Sequence, residues 1–177
     1  YGLDNGLGGG KADLFQAGAF ARHSFGAVYV SGAAAYGWQN VTTDRTVTVN
    51  GTDNLHAGFR ADTLAARGEA GWRSATPFIG VTPYGAVQFT SFHLPSYDES
   101  ATSGSGQFAL SYASQTTNNM RTELGLRTDK SVLLGDALLT LRGRAAWSHD
   151  SNTDRTVTPT FQTLPGATFT VNGAQPA

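Results

Sequence analysis

The sequence has no cysteine, few charged residues and no long apolar run. Without cysteine, the chain can form neither a disulfide framework nor a thiolate metal site or nucleophile. Only 14% of its 177 residues are charged, against about 25% in an average globular domain. The formal net charge of -1 differs from the strongly basic balance that nucleic-acid-binding domains usually show, so we expect no nucleic-acid partner.

Long apolar helices are also missing from the sequence. No segment approaches the roughly 18 consecutive apolar residues of a transmembrane helix, and the mean hydropathy is -0.24. This excludes only a protein that crosses a membrane with helices. Strands that span a membrane alternate apolar and polar residues, and they leave the average hydropathy unremarkable.

The sequence is instead rich in glycine, with 22 residues, and in segments whose polarity alternates. No segment shows the 3.6-residue period of an amphipathic helix. The main predicted strands run for about ten residues, which is long for a soluble sheet and close to the length that a tilted strand needs to cross a bilayer. The predicted strands are Asp13–Arg22, Ala27–Gln39, Thr63–Arg73, Thr82–Phe92, Asn119–Thr128 and Leu138–His149, with weaker candidates at Gln107–Ser114 and Val157–Thr163.

Three of these strands have one apolar and one charged face. In "LTLRGRAAW", Leu141 and Trp147 fall on one side of an extended chain, while Arg142 and Arg144 fall on the other, because strand side chains alternate between faces. If the strands span a membrane, the charged faces must line a polar lumen, where the inward charges need partners. We expect Glu123 to lie across a hairpin from Arg142 or Arg144, and Glu69 to pair with Arg67 and Arg73. The predicted lumen-lining residues are Arg67, Glu69, Arg73, Arg121, Glu123, Arg127, Arg142 and Arg144.

Short and long connections alternate along the chain. Residues 23–26, 74–81 and 129–137 form short links, whereas residues 40–62, 93–107 with their continuation, and those from 150 onward form long polar ones. Outer-membrane barrels have short periplasmic turns and longer extracellular loops. Within the second long link, Ser100–Gln107 is rich in serine and glycine and predicts a flexible loop tip.

The three tryptophans fit the same scheme. Trp38 and Trp147 precede long links and Trp72 precedes a short one, which are the places where two aromatic girdles would lie. We therefore predict an all-β, antiparallel, up-and-down transmembrane β-barrel in contact with outer-membrane lipid. The alternative is a soluble antiparallel sandwich with one solvated face, although leucine, glycine, alanine and tryptophan are poor material for a sandwich core.

No pattern predicts an enzyme, a metal site or a cofactor. Ser148, His149 and Asp150 are consecutive, but neighbours on a strand point to opposite faces, and a catalytic triad is defined by its spatial geometry. The four histidines lie far apart, without metal-ligand spacing.

The stretch "ATPFIGVTPYGAVQFTSFHLPSYDES" resembles the translocator domain of autotransporters, the type V secretion proteins. The segments "DLFQAGAFARHSFGAVYVSGAAAYGW", "RTELGLR", "GRAAWSHD" and "FQTLPGATFTVNGAQPA" resemble other parts of that domain in the same order. The residues of the first stretch that carry the resemblance are Pro77, Pro83, Tyr84, Leu94, Pro95, Tyr97 and Glu99.

This resemblance implies a barrel of about twelve strands in the outer membrane of a Gram-negative bacterium. Such a barrel anchors and exports an N-terminal passenger domain to the cell surface, with a linker helix in the lumen and help from the barrel-assembly machinery. Residues 1–177 would be part of a single translocator domain and supply about seven or eight strands, with the C-terminal strands following Ala177. A porin-like or adhesin barrel that exports nothing is the alternative. Glu69 or Glu123 could also serve as a lumenal acid that cuts the passenger, but we expect both to pair with arginine.

Overall fold

The computed structural model describes residues 7–49, 51–152 and 156–172 of the chain. Six strands in these ranges are long and seven are short. The long strands are β1 (Gly8–Phe25), β2 (Val28–Thr48), β3 (Thr52–Trp72), β5 (Gly80–Leu94), β9 (Gln115–Leu134) and β10 (Ala137–Asp150). The short strands are β4 (Ser74–Ala75), β6 (Tyr97–Asp98), β7 (Ser100–Ser103), β8 (Leu110–Tyr112), β11 (Thr156–Val157), β12 (Thr160–Phe161) and β13 (Val171–Asn172). Within the described ranges, no helix has the length and apolar character required to span a membrane.

The long strands form one antiparallel sheet in which each pairs with the next long strand along the chain, in the order β1-β2-β3-β5-β9-β10. Strand β4 pairs with β5 and β7 pairs with β3, so the sheet contains eight strands. It curls into a half-barrel. The predicted all-β, antiparallel, up-and-down architecture is confirmed as a partial barrel, and the main sheet is not folded into a two-sheet sandwich.

Two predicted connections are wrong, because the strands continue through them. Strands β2 and β3 pair without interruption from Val28 and Trp72 to Thr48 and Thr52, so residues 40–48 and 52–62 belong to paired strands. This segment is polar but rich in threonine and valine, which favour strands, and pairing satisfies its backbone groups. Similarly, β9 and β10 remain paired as far as Leu134 and Ala137, which shortens the link predicted at residues 129–137 to two residues.

The two weaker strand predictions fail in a different way. Within Gln107–Ser114, only Leu110–Tyr112 is a strand, and Val157–Thr163 is divided between β11 and β12. Pro159 lies between β11 and β12, and proline has no N–H to donate to a strand ladder. Strands β12, β8 and β6 form a small sheet of their own outside the main sheet.

Two hairpin turns at the short-link end contain glycine at a positive φ. Gly26 and Gly135, each at a φ of +61°, begin two-residue turns between β1 and β2 and between β9 and β10. Such turns require a left-handed residue, which glycine adopts at little cost. They fix the register of both hairpins and therefore determine which side chains share a face.

Most of the buried apolar residues lie at the long-link end of the sheet, while Tyr29, Tyr84 and Ala86 are buried nearer its short-link end. Leu55, Ala57 and Ala61 on β3 are at most 2% exposed, and Ala109 and Leu110 from the following connection are 3% exposed. Elsewhere, one face of the sheet leaves large apolar side chains uncovered. The half-barrel therefore has a compact core only where its long connections fold back.

Candidate functional site

The strand ladders place seven of the eight predicted lumen-lining residues on one face of the sheet. Glu69 on β3 is in register with Ala86 on β5, which is in register with Glu123 on β9 and, through it, Ser148 on β10. The other predicted residues of β3, β9 and β10 lie at even spacings from this row, which puts their side chains on the same side. The eighth residue, Arg73, follows the end of β3 and reaches the same face by its contact with Asp129. The position of these residues on one face follows from register, while their role as a lumen lining stays a prediction.

Long-range contacts identify this polar face as the concave one. The Arg127 Nη1 atom on β9 donates to the Tyr29 hydroxyl on β2 at 2.9 Å, although three strand spacings separate these strands. Neighbouring strands lie about 4.8 Å apart, so the two side chains meet only because the sheet curls towards them. The opposite, apolar face is consequently convex.

Glu69 is the centre of the first ion-pair cluster on the concave face. Its carboxylate accepts two hydrogen bonds from Arg127, at 2.7 and 2.8 Å, and one from Arg67 at 3.0 Å. The Tyr29 hydroxyl donates a further bond at 2.8 Å. The Glu69 side chain is only 10% exposed, and four charge-assisted or hydroxyl bonds offset the cost of burying it.

Glu123 is the centre of a second cluster, which Arg67 joins to the first. The Glu123 carboxylate accepts bonds from the Tyr84 hydroxyl at 2.5 Å, from Arg144 at 2.5 Å and from Arg67 at 3.3 Å. The sequence led us to expect Arg142 or Arg144 opposite Glu123 in the ladder. The residue in register is Ser148, and Arg144 reaches the carboxylate from four positions away on β10.

The remaining predicted lumen residues lie outside this network. Arg73 donates to Asp129 at 2.7 Å, not to Glu69 as the sequence had suggested, and Arg121 donates to Ser148 at 2.8 Å. Arg142 is in register with Asp129 and forms no ion pair within the described ranges. Five of the eight residues are thus joined in one network, and three are peripheral to it.

The convex face carries most of the exposed apolar side chains of the long strands and the three tryptophans, while the exposed Leu14, Phe20, Leu133 and Leu138 lie on the concave face. Trp147 and Leu124, which are in register, are each 64% exposed, and Trp72 is 54% exposed. Trp38 contacts the Phe15 ring at a centroid distance of 4.4 Å. A surface with this many uncovered apolar groups is unusual for a protein in water.

The tryptophans are separated along their strands as two girdles would require. Trp72 ends β3 at the short-link end, whereas Trp38 and Trp147 each lie ten residues from the short-link end of their own strands. At about 3.3 Å per residue and a tilt near 40°, ten residues correspond to a height of roughly 25 Å, the height of the apolar band of an outer-membrane barrel. Their assignment as girdle residues stays a prediction.

A family model of the autotransporter beta-domain matches residues 1–177. The chain belongs to this family. Autotransporter beta-domains are translocators of a passenger domain in the outer membrane of Gram-negative bacteria and are generally not catalytic. Among curated proteins, none matches the chain.

The long connections of this autotransporter beta-domain build a third polar cluster, away from the two on the concave face. We call residues 95–112 and 159–169 the cap. Within it, Glu99 is 7% exposed and accepts hydrogen bonds from both Arg45 on β2 and the Leu110 amide. The hydrogen bond to Glu99 raises the pKa of Arg45. This buried pair ties the cap to the extension of the β2–β3 hairpin.

Asp53 on β3 ties a second part of the cap. Its carboxylate accepts hydrogen bonds from the Ser105 amide at 2.7 Å and from the Phe108 amide at 3.4 Å. Burial alone would raise the pKa of Asp53, but these bonds and one from the Gly106 amide lower it below the usual value. The predicted flexible tip at Ser100–Gln107 is therefore held in place, and β7 within it pairs with β3.

The tyrosines of the concave face were not among the residues predicted from the sequence. Alternation places Tyr29 and Tyr84 there, but we gave weight only to the charged residues. Both hydroxyls bond the glutamates, Arg127 lies 3.9 Å from the Tyr84 ring centroid and Arg22 lies 3.8 Å from that of Tyr29. Each of these rings covers a glycine of the neighbouring strand, Gly71 beneath Tyr29 and Gly125 beneath Tyr84. A tyrosine that faces a glycine across a pair of predicted strands is therefore the sequence signal that would have identified them.

The geometry of the beta-domain bears on the catalytic alternatives as well. His149 lies on the convex face, opposite Ser148 and Asp150, so these residues do not form a triad. Both Glu69 and Glu123 are held by two arginines each, which supports ion pairing over a role in cleaving a passenger. Within the described ranges, no three histidine, aspartate or glutamate side chains are grouped to hold a metal ion.

Proposed function

We propose that residues 1–177 are part of a single translocator domain that anchors and exports an N-terminal passenger to the surface of a Gram-negative cell. The observation that carries the proposal is the division of the sheet into a convex apolar face and a concave face of buried ion pairs. Lipid would cover the convex face. Arg67, Glu69 and the other six predicted residues would line the lumen.

The energetics of the two faces support this orientation. An arginine at the midplane of the lipid face costs roughly 2 to 4 kcal/mol. A register slip of one residue on β10 would move Arg142 and Arg144 to the convex side, at a cost of several kcal/mol. Trp38, Trp72 and Trp147 would then mark the two membrane interfaces as girdles.

The partners follow from the same orientation. The passenger and its linker helix would occupy the concave side, and the barrel-assembly machinery would insert the domain. A polar concave face is also compatible with a barrel that only conducts solutes, so a porin-like domain is the competing proposal.

Surface display separates these two functions. The complete beta-domain carrying this chain is fused behind an epitope-tagged reporter and expressed in a Gram-negative host. Export predicts that external protease removes the tag from intact cells, while the domain itself stays in the outer-membrane fraction. Recovery of the domain in that fraction with the tag retained in the periplasm would contradict export and favour the porin-like barrel. Leu141→Arg, on the convex face of β10 between the levels of the two predicted girdles, is the control for assembly, and it should lower the amount of domain in the membrane.

A further inference from the structure

A cavity of about 680 Å³ opens on the concave face towards the short-link end of the sheet. Five strands contribute to its lining, and arginine is the residue type most frequent there. The five arginines of the lining are Arg22, Arg73, Arg127, Arg142 and Arg144.

The charge of this lining is unbalanced. Asp129 is its one carboxylate among the described residues, and it is already bonded to Arg73. Glu69 and Glu123 lie outside the lining and hold Arg127 and Arg144. Arg22 and Arg142, in contrast, form no ion pair within the described ranges. The guanidinium groups of Arg22 and Arg142 therefore line the cavity without an ion pair, and Asp129, the ladder neighbour of Arg142, is the one carboxylate among five arginines in the described lining.

One of these groups, the Arg22 guanidinium, is held in place by its surroundings. The Arg22 guanidinium stacks over the Tyr29 ring at 3.8 Å, a cation–π contact that limits its motion. Ser131 and Thr140 share a hydrogen bond of 3.0 Å in the lining and supply hydroxyls near the register position of Arg142. A preorganised guanidinium loses less freedom on binding an oxyanion than a mobile one.

We propose that this cavity binds acidic segments of an extended polypeptide through Arg22 and Arg142. The proposal rests on the proposed function, because a polypeptide in transit is what would pass the concave face of a translocator. Carboxylates match the fork of guanidinium donors. The volume of the cavity lies within the roughly 300 to 1,000 Å³ range of pockets that hold drug-sized ligands, so the cavity has room for a segment with more than one carboxylate.

Binding of a synthetic peptide tests the proposal directly. The complete beta-domain carrying this chain is refolded in detergent and titrated with a dye-labelled ten-residue peptide in which aspartate alternates with serine, followed by fluorescence polarisation. The matched peptide has asparagine at every aspartate position. We expect the aspartate peptide to bind at least tenfold more tightly than the asparagine peptide, and added salt to weaken its binding.

Substitutions of the two arginines test whether the peptide binds at this cavity. The double variant Arg22→Gln and Arg142→Gln should weaken binding of the aspartate peptide about tenfold. The matched control is Lys11→Gln with Arg60→Gln, which removes two positive charges from the convex side of β1 and β3 and should leave binding unchanged. Equal loss in both variants, or none in either, would overturn the proposal.

A charge-reversal variant distinguishes loss of the binding site from misfolding of the domain. The double variant Arg22→Glu with Arg142→Glu should bind a lysine–serine peptide in place of the aspartate peptide. A variant domain that binds neither peptide while it retains the circular dichroism of its sheet would contradict the site.

The outcomes of this experiment and of surface display are independent of each other. Failure of surface display with intact peptide binding would refute export alone. Loss of specific binding with intact display would refute only this inference.

Discussion

Replacing Glu99 with glutamine should open the cap. The Glu99 carboxylate accepts two hydrogen bonds from Arg45 and one from the Leu110 amide. Glutamine keeps the size of the side chain but removes the charge that compensates the Arg45 guanidinium. Breaking a fully buried pair costs about 3 to 5 kcal/mol. Because the Arg45 side chain is 33% exposed, water compensates part of this loss, and we expect a cost of about 2 kcal/mol.

Hydrogen exchange measures this cost locally. The Glu99 amide donates to the Leu110 carbonyl at 2.9 Å, and the Leu110 amide donates to Glu99, so both amides report on opening of the cap. A loss of about 2 kcal/mol corresponds to roughly 30-fold faster exchange, since 1.4 kcal/mol is a factor of ten. The amides of β9 should keep their wild-type rates.

Asp98→Asn is the matched control, because it removes one negative charge from the adjacent, exposed side chain. We expect it to change the exchange rate of the Leu110 amide less than threefold. Wild-type exchange in Glu99→Gln would refute the argument that the Arg45–Glu99 pair holds the cap. Equal acceleration in both variants would also refute it, because net charge and not the buried pair would then be responsible.

Two further predictions concern packing on the concave face and the response of the cap to acid. A Cβ atom at Gly125 would lie 2.5 Å from atoms of the Tyr84 ring, whereas one at Gly68 meets nothing within 4 Å. In urea unfolding, Gly125→Ala should therefore lower the free energy of unfolding by about 1 to 3 kcal/mol, and Gly68→Ala should change it little. Equal losses in the two variants would contradict the packing argument. The hydrogen bonds to Asp53 lower its pKa in the folded protein. The ionised carboxylate therefore stabilises the cap fully at any pH above its unfolded-state pKa of about 3.9. This stabilisation is lost as the pH falls through the lower pKa of the folded state. The Ser105 amide resonance should therefore titrate with a midpoint below 3.9, and a midpoint at or above that value would show that the hydrogen bonds to Asp53 do not favour its ionised form.

The faces of the sheet could be predicted from the sequence because alternation is a local property. Leu141 and Arg142 are assigned to opposite faces by their neighbours alone, and the ladder of β9 and β10 bears this out. Which charges meet could not be predicted in this way. Arg127 reaches Glu69 across two strand spacings, and that contact depends on the curvature of the whole sheet.

The cap illustrates a second limit of the sequence. Ser100–Gln107 has the composition of a flexible tip, and composition cannot reveal that Asp53, some fifty positions earlier, accepts a hydrogen bond from the Ser105 amide. The polar segment at residues 40–62 was assigned to a loop for a related reason. Its strands extend beyond the apolar region and pair with each other, so neither face shows the apolar signal by which we recognised the other strands.

We propose that lipid covers the convex face and that the concave face is polar and enclosed. Tryptophan quenching by bromine-labelled lipids, with the bromine at graded depths, tests this proposal in the complete beta-domain refolded into bilayers. We expect strong quenching in the wild type and in Arg142→Leu on the concave face of β10. Quenching should fall in Leu141→Arg, because Leu141 lies on the convex face of the same strand, between the levels of the two predicted girdles. Quenching retained in Leu141→Arg but lost in Arg142→Leu, or absent from the wild type, would contradict the proposal.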